Sequence, residues 1–402
     1  MLRTCSRIFL KPRSSLREPS CYFSTTCKSI LVLNPGSTSM KCSAYSICDL
    51  KLDFSVPPFF NKQIKLTKEN REKEITEFLN DYIDEFHDLQ AIGLRTVHGG
   101  QHFKETALVT TAVAKTLEYL VPLAPLHLPP LLTALQKVTS LLPHVPCYVA
   151  FDTAFFNELP STARFYPLPY EMAEKGFIKY GFHGLNHRHC FEKISLMLDR
   201  VPSRLITCHL GGGASVSAIM DGRCIDTSMG YTPLDGIMMT TRCGSLDPSI
   251  VLRMVKDANG DLEEVERILN QKSGVAGISG LSDLKEAVDK RQENSRADLA
   301  CAMFQNRLCK AIGSFIAVLG GLDGLVFSGG IGENDSSLRK EVVQQLSFLG
   351  IELDEESNDI STKEDRIIST SSSAVTVAVI HANEELVIAQ DIIRMTADSF
   401  DI

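Results

Sequence analysis

The chain has 402 residues, 44% hydrophobic and 22% charged, with a formal net charge of -8 at pH 7. That length carries two domains with substantial cores, and the composition is that of a globular protein rather than a fibrous or disordered one. The acidic balance without a basic face argues against nucleic acid as a main partner. No apolar run reaches the roughly 18–20 residues of a membrane span, and twelve cysteines without a CxxC pair argue against a structural zinc site.

Charge is unevenly spread. Residues 1–28 hold Arg3, Arg7, Lys11, Arg13, Arg17 and Lys28 against the single acid Glu18, with many Ser and Thr and the apolar Leu2, Ile8, Phe9 and Leu16. This is the composition of a mitochondrial targeting segment, although Pro12 interrupts any helix. The alternative is a disordered extension on a cytoplasmic protein. In both cases it lies outside the fold.

The fold begins with the run Ile30-Leu31-Val32-Leu33, which enters Asn34-Pro35-Gly36-Ser37-Thr38-Ser39-Met40-Lys41. Residues 29–48 read as strand, tight turn and strand. The same arrangement returns at 204–220, where Ile206-Thr207-Cys208-His209-Leu210 runs into Gly211-Gly212-Gly213-Ala214-Ser215. Turns of this kind aim backbone N–H groups and hydroxyls at one spot and suit phosphate oxygens. Two of them, one in each half, point to a nucleotide held in a cleft between duplicated domains. The first resembles a P-loop, with Gly36 ahead of Lys41, but it lacks the second glycine and has Cys42 where a magnesium-binding Ser or Thr belongs.

Between the two hairpins, 67–85 has helical spacing, and Ala91 to Gly100 reads as a strand entering a glycine turn. Helices are predicted at 110–121 and 130–141, separated by Pro125, Pro129 and Pro130. Val145 to Phe151 forms a strand closed by Asp152, and Tyr180-Gly181-Phe182-His183-Gly184 is a loop leading to a helix from about 186. Beyond the second hairpin, 221–242 is irregular, and helices follow at 248–256, 261–270 and 295–319. A buried strand at 324–327 enters Ser328-Gly329-Gly330-Ile331-Gly332-Glu333-Asn334, Val375 to Ile380 is a late strand, and 383–396 is the last helix. The mixture is α/β.

Several of these positions carry chemistry-bearing side chains. Asp152 at a strand end suits a metal or a cleft, and equally a helix cap. Arg95 also ends a strand. His127 and His183 sit in loops, where a histidine is as readily structural as reactive. Arg242 lies in Met239-Thr240-Thr241-Arg242-Cys243-Gly244, a loop setting with little packing reason for a guanidinium; it is either a solvated loop arginine or a fork that matches the oxygens of a transferring phosphoryl group.

In this order, the stretches Asn34–Lys41, Arg95–Gly100, Pro125–His127, Phe151–Phe155, Gly181–Gly184, His209–Ser215, Asp226–Arg242, Ser328–Asn334 and Asn383–Leu386 resemble the acetate kinases, a family within the superfamily of sugar kinases and actin. Asp226-Thr227-Ser228-Met229-Gly230 with Thr232-Pro233-Leu234 is the most specific of them. The resemblance implies a duplicated actin-like (ribonuclease H-like) α/β fold, with residues 29–153 plus 386–402 as one domain and 154–385 as the other, a cleft between them, and a homodimer. It implies reversible phosphoryl transfer from ATP to acetate, giving acetyl phosphate and ADP, with magnesium, or manganese in its place.

The resemblance also distributes roles. Asn34 and Glu384 stand near the metal, and Asp152 acts on the metal or its waters. Arg95 and Arg242 stand at the acetate carboxylate and the transferring phosphoryl group, with His183 donating to that group and His127 supporting it. Val97, Leu126, Phe182 and Pro233 form the pocket for the acetate methyl. ATP falls to Ser37, Ser39 and Lys41 of the first turn, to His209, Gly211, Gly212 and Gly213 of the second, to Asp283, Leu284 and Lys285, and to Gly329, Gly330, Ile331, Gly332 and Asn334. Gly212 stands where the family has asparagine, and Lys285 where it has arginine. A propionate or butyrate kinase on the same scaffold, or a non-catalytic actin-like nucleotide-binding protein, are the competing readings.

Overall fold

The computed structural model describes residues 28–36, 39–47, 57–67, 69–86, 88–125 and 127–396. The expected targeting segment, apart from Lys28, lies outside the described residues, as do the site candidates Ser37 and Leu126. The first half builds β1 (Ser29–Pro35), β2 (Ser39–Ser46), β3 (Phe60–Lys65), β4 (Leu89–Thr96), β5 (Ala107–Leu108) and β6 (Cys147–Phe151) into one sheet of order β3-β2-β1-β4-β6-β5. The second half builds β7 (Arg204–Leu210), β8 (Ala214–Met220), β9 (Arg223–Thr227), β10 (Gly324–Ser328), β11 (Arg366–Ile367) and β12 (Thr376–Val379) into a sheet of order β11-β12-β10-β7-β8-β9. Read from the opposite edge, the second order is the first one repeated. Each sheet has an antiparallel three-strand meander, two parallel strands and a short antiparallel edge strand.

The central strands are apolar without interruption because both faces are covered. In β1 the alternation sends Leu31 and Leu33 into one core and Ile30 and Val32 into another. In β10 it sends Leu325 and Phe327 one way and Val326 the other. The outer faces carry the larger cores, built on helices such as Leu128–Leu141 for the first sheet and Ser295–Leu319 for the second.

The inner faces are covered by two helices. Glu384–Thr396, which follows the second sheet in sequence, lays Leu386, Val387, Ile388 and Ile392 on the first sheet. Gly184–Met197, which follows the first sheet, lays Cys190 and Ile194 on the second. Each helix therefore covers the sheet of the other half, and its N-terminus opens beside the ends of the parallel strands.

Some elements escaped the sequence pattern. The β3, β5 and β11 edges are short or half-exposed, so their apolar alternation is weak. The helices Gly274–Ser279, Leu284–Lys290 and Ser336–Gln345 are likewise short or polar. The helix after His183 starts at Gly184 rather than 186. Its start is set by His183, a non-glycine residue in the left-handed region at φ 59°. Gly184 amide nitrogen donates to the Asp152 carbonyl at 3.0 Å, so the chain passes against the end of β6.

At Gly184 a Cβ would collide with the Asp152 carbonyl oxygen and press on Phe155 and Phe156. Gly184→Ala is therefore expected to lower stability by about 3 kcal/mol in urea unfolding and to reduce turnover, whereas Gly212→Ala, where a Cβ meets nothing within 4 Å, should unfold like the parent.

Candidate active site

The cleft is organised around a mostly buried arginine. Arg95, at the end of β4, donates from Nε to Asp152 Oδ1 at 3.1 Å and from Nη2 to Asp152 Oδ2 at 2.8 Å. Its third nitrogen, Nη1, stands 3.3 Å from Glu384 Oε1 at the start of the last helix. One planar cation thus ties two adjacent strand ends of the first sheet to the crossing helix, a geometry that a fork of donors fits and a point charge does not.

The two carboxylates respond differently. Burial, the largest influence on both, raises the Asp152 carboxyl, with Arg95 working against it. At Glu384 the opposing attraction of Arg95, helped by His209 and Lys41, outweighs burial and holds the carboxyl down to about 2. The neighbouring Glu385 takes a hydrogen bond from Asn34 Nδ2 at 2.7 Å. The resemblance sets Asn34 and Glu384 near one metal, and the adjacent Asn383-Glu384-Glu385 gives no sequence signal for which acid takes the Asn34 hydrogen bond. Among the described residues, no group of three His, Cys, Asp or Glu side chains forms a ready-made metal shell. The acids present, with the Asn34 amide oxygen left free, are hard oxygen donors of the kind magnesium takes in ones and twos beside phosphates and water.

A second cluster lies under the N-terminus of Gly184–Met197. The His183 and His209 rings stack at 4.0 Å between centroids and 23° between planes. Asn186 Nδ2 donates to His209 Nδ1 at 2.8 Å and to Ser328 Oγ at 3.0 Å. With Nδ1 accepting, neutral His209 carries its proton on Nε2, near Gly211. His183 is pushed well below the usual histidine range by burial first, then by His209, Arg95, His187 and Arg242. Burial likewise brings His209 down to about 4, and His127 to about 4 with Arg242 and Arg95 adding to the effect. These are neutral donors. His187 and Asn186 were not singled out from sequence, although His187 lies one helical turn after His183.

Arg242, half-buried, differs from Arg95. Its Nη1 reaches only the Pro233 carbonyl at 3.4 Å and Met239 sulfur at 3.9 Å, and no carboxylate pairs with it among the described residues. Burial alone lowers its proton affinity. A Cβ on Gly213 would stand 3.3 Å from Arg242 Nη1 and 3.3 Å from His183 Nε2, so the second glycine turn, the unpaired guanidinium and His183 face one another. A half-buried arginine without an acid is a place for an anion.

The remaining candidates group as follows. Gly211 amide nitrogen closes the second turn on the Gly213 carbonyl at 2.9 Å, and the turn faces Gly330. Gly329 sits at φ 78° directly on Leu210. The helix Gly329–Asn334 starts there, with Ile331 half-buried, Gly332 buried and Asn334 donating back to the Gly330 carbonyl at 2.8 Å. Glu333 Oε1 accepts from Gly329 and Ala382 amide nitrogens, both at 2.9 Å, and so joins this turn to the segment before Glu384. Lys41 lies opposite Asn34 in the β1–β2 register, and Ser39 hydroxyl accepts from Gln63 at 3.0 Å. Asp283 caps Leu284–Lys290 by accepting from Glu286 amide nitrogen, Lys285 is exposed, and Leu284 is buried in the second core. Leu284 therefore has only its backbone to offer a ligand. Val97 packs on the same core as fully buried Phe182, and Pro233 is tied to Arg242.

Residues 29–390 match the acetokinase family. The chain belongs to the acetokinase family. It is 43% identical to an acetate kinase of Halothermothrix orenii over 401 residues, 91% of this chain and 99% of the relative. The solved acetate kinase of Entamoeba histolytica superposes with a TM-score of 0.82 at 32% identity, over 91% of this chain and 99% of that one. A propionate kinase from Francisella tularensis superposes with a TM-score of 0.81 at 32% identity, over 90% and 98%. The paired six-stranded sheets are thus the duplicated actin-like α/β fold of this family of carboxylate phosphotransferases.

The folded acetokinase chain keeps Glu384 ionised down to about pH 2, whereas the unfolded chain takes up its proton near 4.5. The contribution of Glu384 to stability is therefore complete above pH 4.5 and disappears as the pH falls toward 2. In urea titrations the difference between the parent and Glu384→Gln should shrink over that window; a difference that is constant from pH 6 to 2 would contradict an ionised Glu384.

Proposed function

We propose that the cleft transfers the terminal phosphoryl group of ATP to acetate, reversibly and by direct in-line displacement. One observation carries the assignment of the reacting centre: half-buried Arg242 has no acid partner among the described residues and faces His183 and the second glycine turn. A protein that only bound a nucleotide would have no use for an uncompensated guanidinium on the far side of that turn from Gly330.

The chemistry sets what these residues must do. Acetate is ionised at neutral pH and needs no general base. The obstacle is repulsion between a carboxylate and a polyphosphate, combined with the need for alignment. Arg242 attracts the equatorial oxygens of the transferring group, and neutral His183 and His127 donate to them without adding a charge that ground-state phosphate would bind equally well. Arg95 supplies a second positive charge while staying fixed by Asp152 and Glu384. Asn34 and Glu384, with Asp152 acting through water, would hold magnesium, which when bound offsets charge on the phosphates. Val97, Phe182 and Pro233 form the apolar wall for the methyl group. The glycine turns and the start of Gly329–Asn334 hold the nucleotide through backbone N–H groups.

Propionate is the second reading, favoured by the matching fold of the Francisella tularensis propionate kinase. One methylene is worth only about 1–3 kcal/mol in an apolar pocket, so both acids are expected to react, at different rates. Two further parts of this reading rest on resemblance and composition: assembly as a homodimer, which light scattering tests, and mitochondrial targeting by residues 1–28, which a reporter fusion tests.

Trapping acyl phosphate as the hydroxamate, with acetate, propionate and butyrate against ATP, GTP and pyrophosphate, is the direct assay. Acetate with ATP is expected to give product, and no product from any pairing would overturn the reading. Arg242→Ala is expected to lower kcat by about a hundredfold or more with ATP affinity retained, and Arg242→Lys should not restore it because a point charge lacks the fork. A loss confined to ATP affinity would contradict the role given to Arg242.

A further inference from the structure

The side of β7 turned toward Gly184–Met197 carries Leu205, Thr207 and His209, and the neighbouring β8 brings Ser215 to the same face. Ser215 Oγ lies 2.9 Å from His183 Nδ1 and 2.7 Å from His187 Nε2. The other nitrogen of His187, Nδ1, lies 2.7 Å from Thr207 Oγ1. Thr207, His187 and Ser215 are all fully buried. Burial also keeps both rings neutral, which leaves one proton on each.

A hydroxyl has one proton, so Ser215 donates to one ring and must accept from the other. Two arrangements satisfy it. In one, Thr207 O–H donates to His187 Nδ1, His187 Nε2–H donates to Ser215, and Ser215 O–H donates to His183 Nδ1. The His183 proton then sits on Nε2. In the other, each bond runs backwards, the His183 proton sits on Nδ1, and Thr207 O–H has no acceptor among the described residues. A buried hydroxyl proton without a partner is penalised, and the first arrangement uses every proton.

We infer that Thr207, His187 and Ser215 are positioning residues that form a one-way hydrogen-bond relay, fixing His183 as its Nε2–H tautomer with that proton turned toward Gly213 and Arg242. The inference deepens the role proposed for His183 and rests on it for its catalytic meaning, though not for the tautomer itself. In the reverse tautomer, Nε2 would present a lone pair to phosphoryl oxygens and repel them. The relay gives a use to Thr207 and Ser215, two fully buried hydroxyls that face His187 of the covering helix. It also makes the two stacked rings agree, since His209 reaches its Nε2–H form separately through Asn186.

The test uses the full chain labelled with nitrogen-15 at histidine, with His183 signals assigned as those missing from His183→Gln. Long-range proton–nitrogen spectra should show His183 and His187 each protonated on Nε2 and bare on Nδ1. Protonation of His183 on Nδ1 would overturn the relay. Thr207→Val keeps the shape and removes the hydroxyl; it should move part of the His183 population to the Nδ1–H form and lower kcat severalfold with KM unchanged. Thr207→Ser, which keeps the hydroxyl, should restore both. An unchanged His183 tautomer in Thr207→Val would overturn the relay. A tautomer that shifts while kcat holds would support the relay and overturn the donor role of His183.

Discussion

The cleft depends on the buried fork between Arg95 and Asp152, closed on its third side by Glu384. These residues end β4, end β6 and begin the last helix, so one guanidinium fixes the relative position of three segments that are far apart in sequence. Burying such a cluster is costly unless every charge is paired, and removing one partner leaves the others exposed to that cost. Asp152 also anchors the backbone through its carbonyl, which accepts from Gly184 and starts the helix that carries the histidine relay. The charge cluster and the neutral cluster are therefore joined through a single residue.

The two clusters supply different things. Around Arg95, one guanidinium holds two acids, Asp152 and Glu384, in fixed register. Around His183 and His209, burial removes charge, so stacking at 4.0 Å carries no repulsion between imidazolium groups. Arg242 has no carboxylate partner among the described residues, and in the proposed reaction the substrate anions would supply the missing charge. A site of this kind pays little reorganisation when the phosphoryl group moves, because its donors are already held in place. The family assignment agrees with that division: a carboxylate acceptor needs no base, and none of the histidines is poised to act as one.

Much of this was legible in the sequence, and the reasons are physical. The runs Ile30–Leu33 and Leu325–Phe327 could only be strands covered on both faces, and the repeated hairpin turns marked the duplication. Arg242 was conspicuous because its Gly- and Pro-rich surroundings gave it nothing to pack on. Other features depend on tertiary placement that no local pattern encodes. Thr207 and Ser215 read as ordinary strand residues until the sheet shows that they share a face under His187. Glu384 and Glu385 are neighbours of the same chemistry, and only the start of the last helix decides that one meets Arg95 and the other Asn34. Leu284 matched a nucleotide-contacting segment, yet its side chain belongs to the core, which leaves its backbone for that role.

The shape of the Arg95 cation, and not its charge alone, holds the site together. Arg95→Lys keeps the charge and loses the fork that spans both Asp152 oxygens and Glu384. The most direct measurement is kcat/KM for acetate in this variant, with its folding checked by circular dichroism. The account predicts a folded protein whose kcat/KM falls by about a hundredfold; a folded variant that phosphorylates acetate as efficiently as the parent would contradict it.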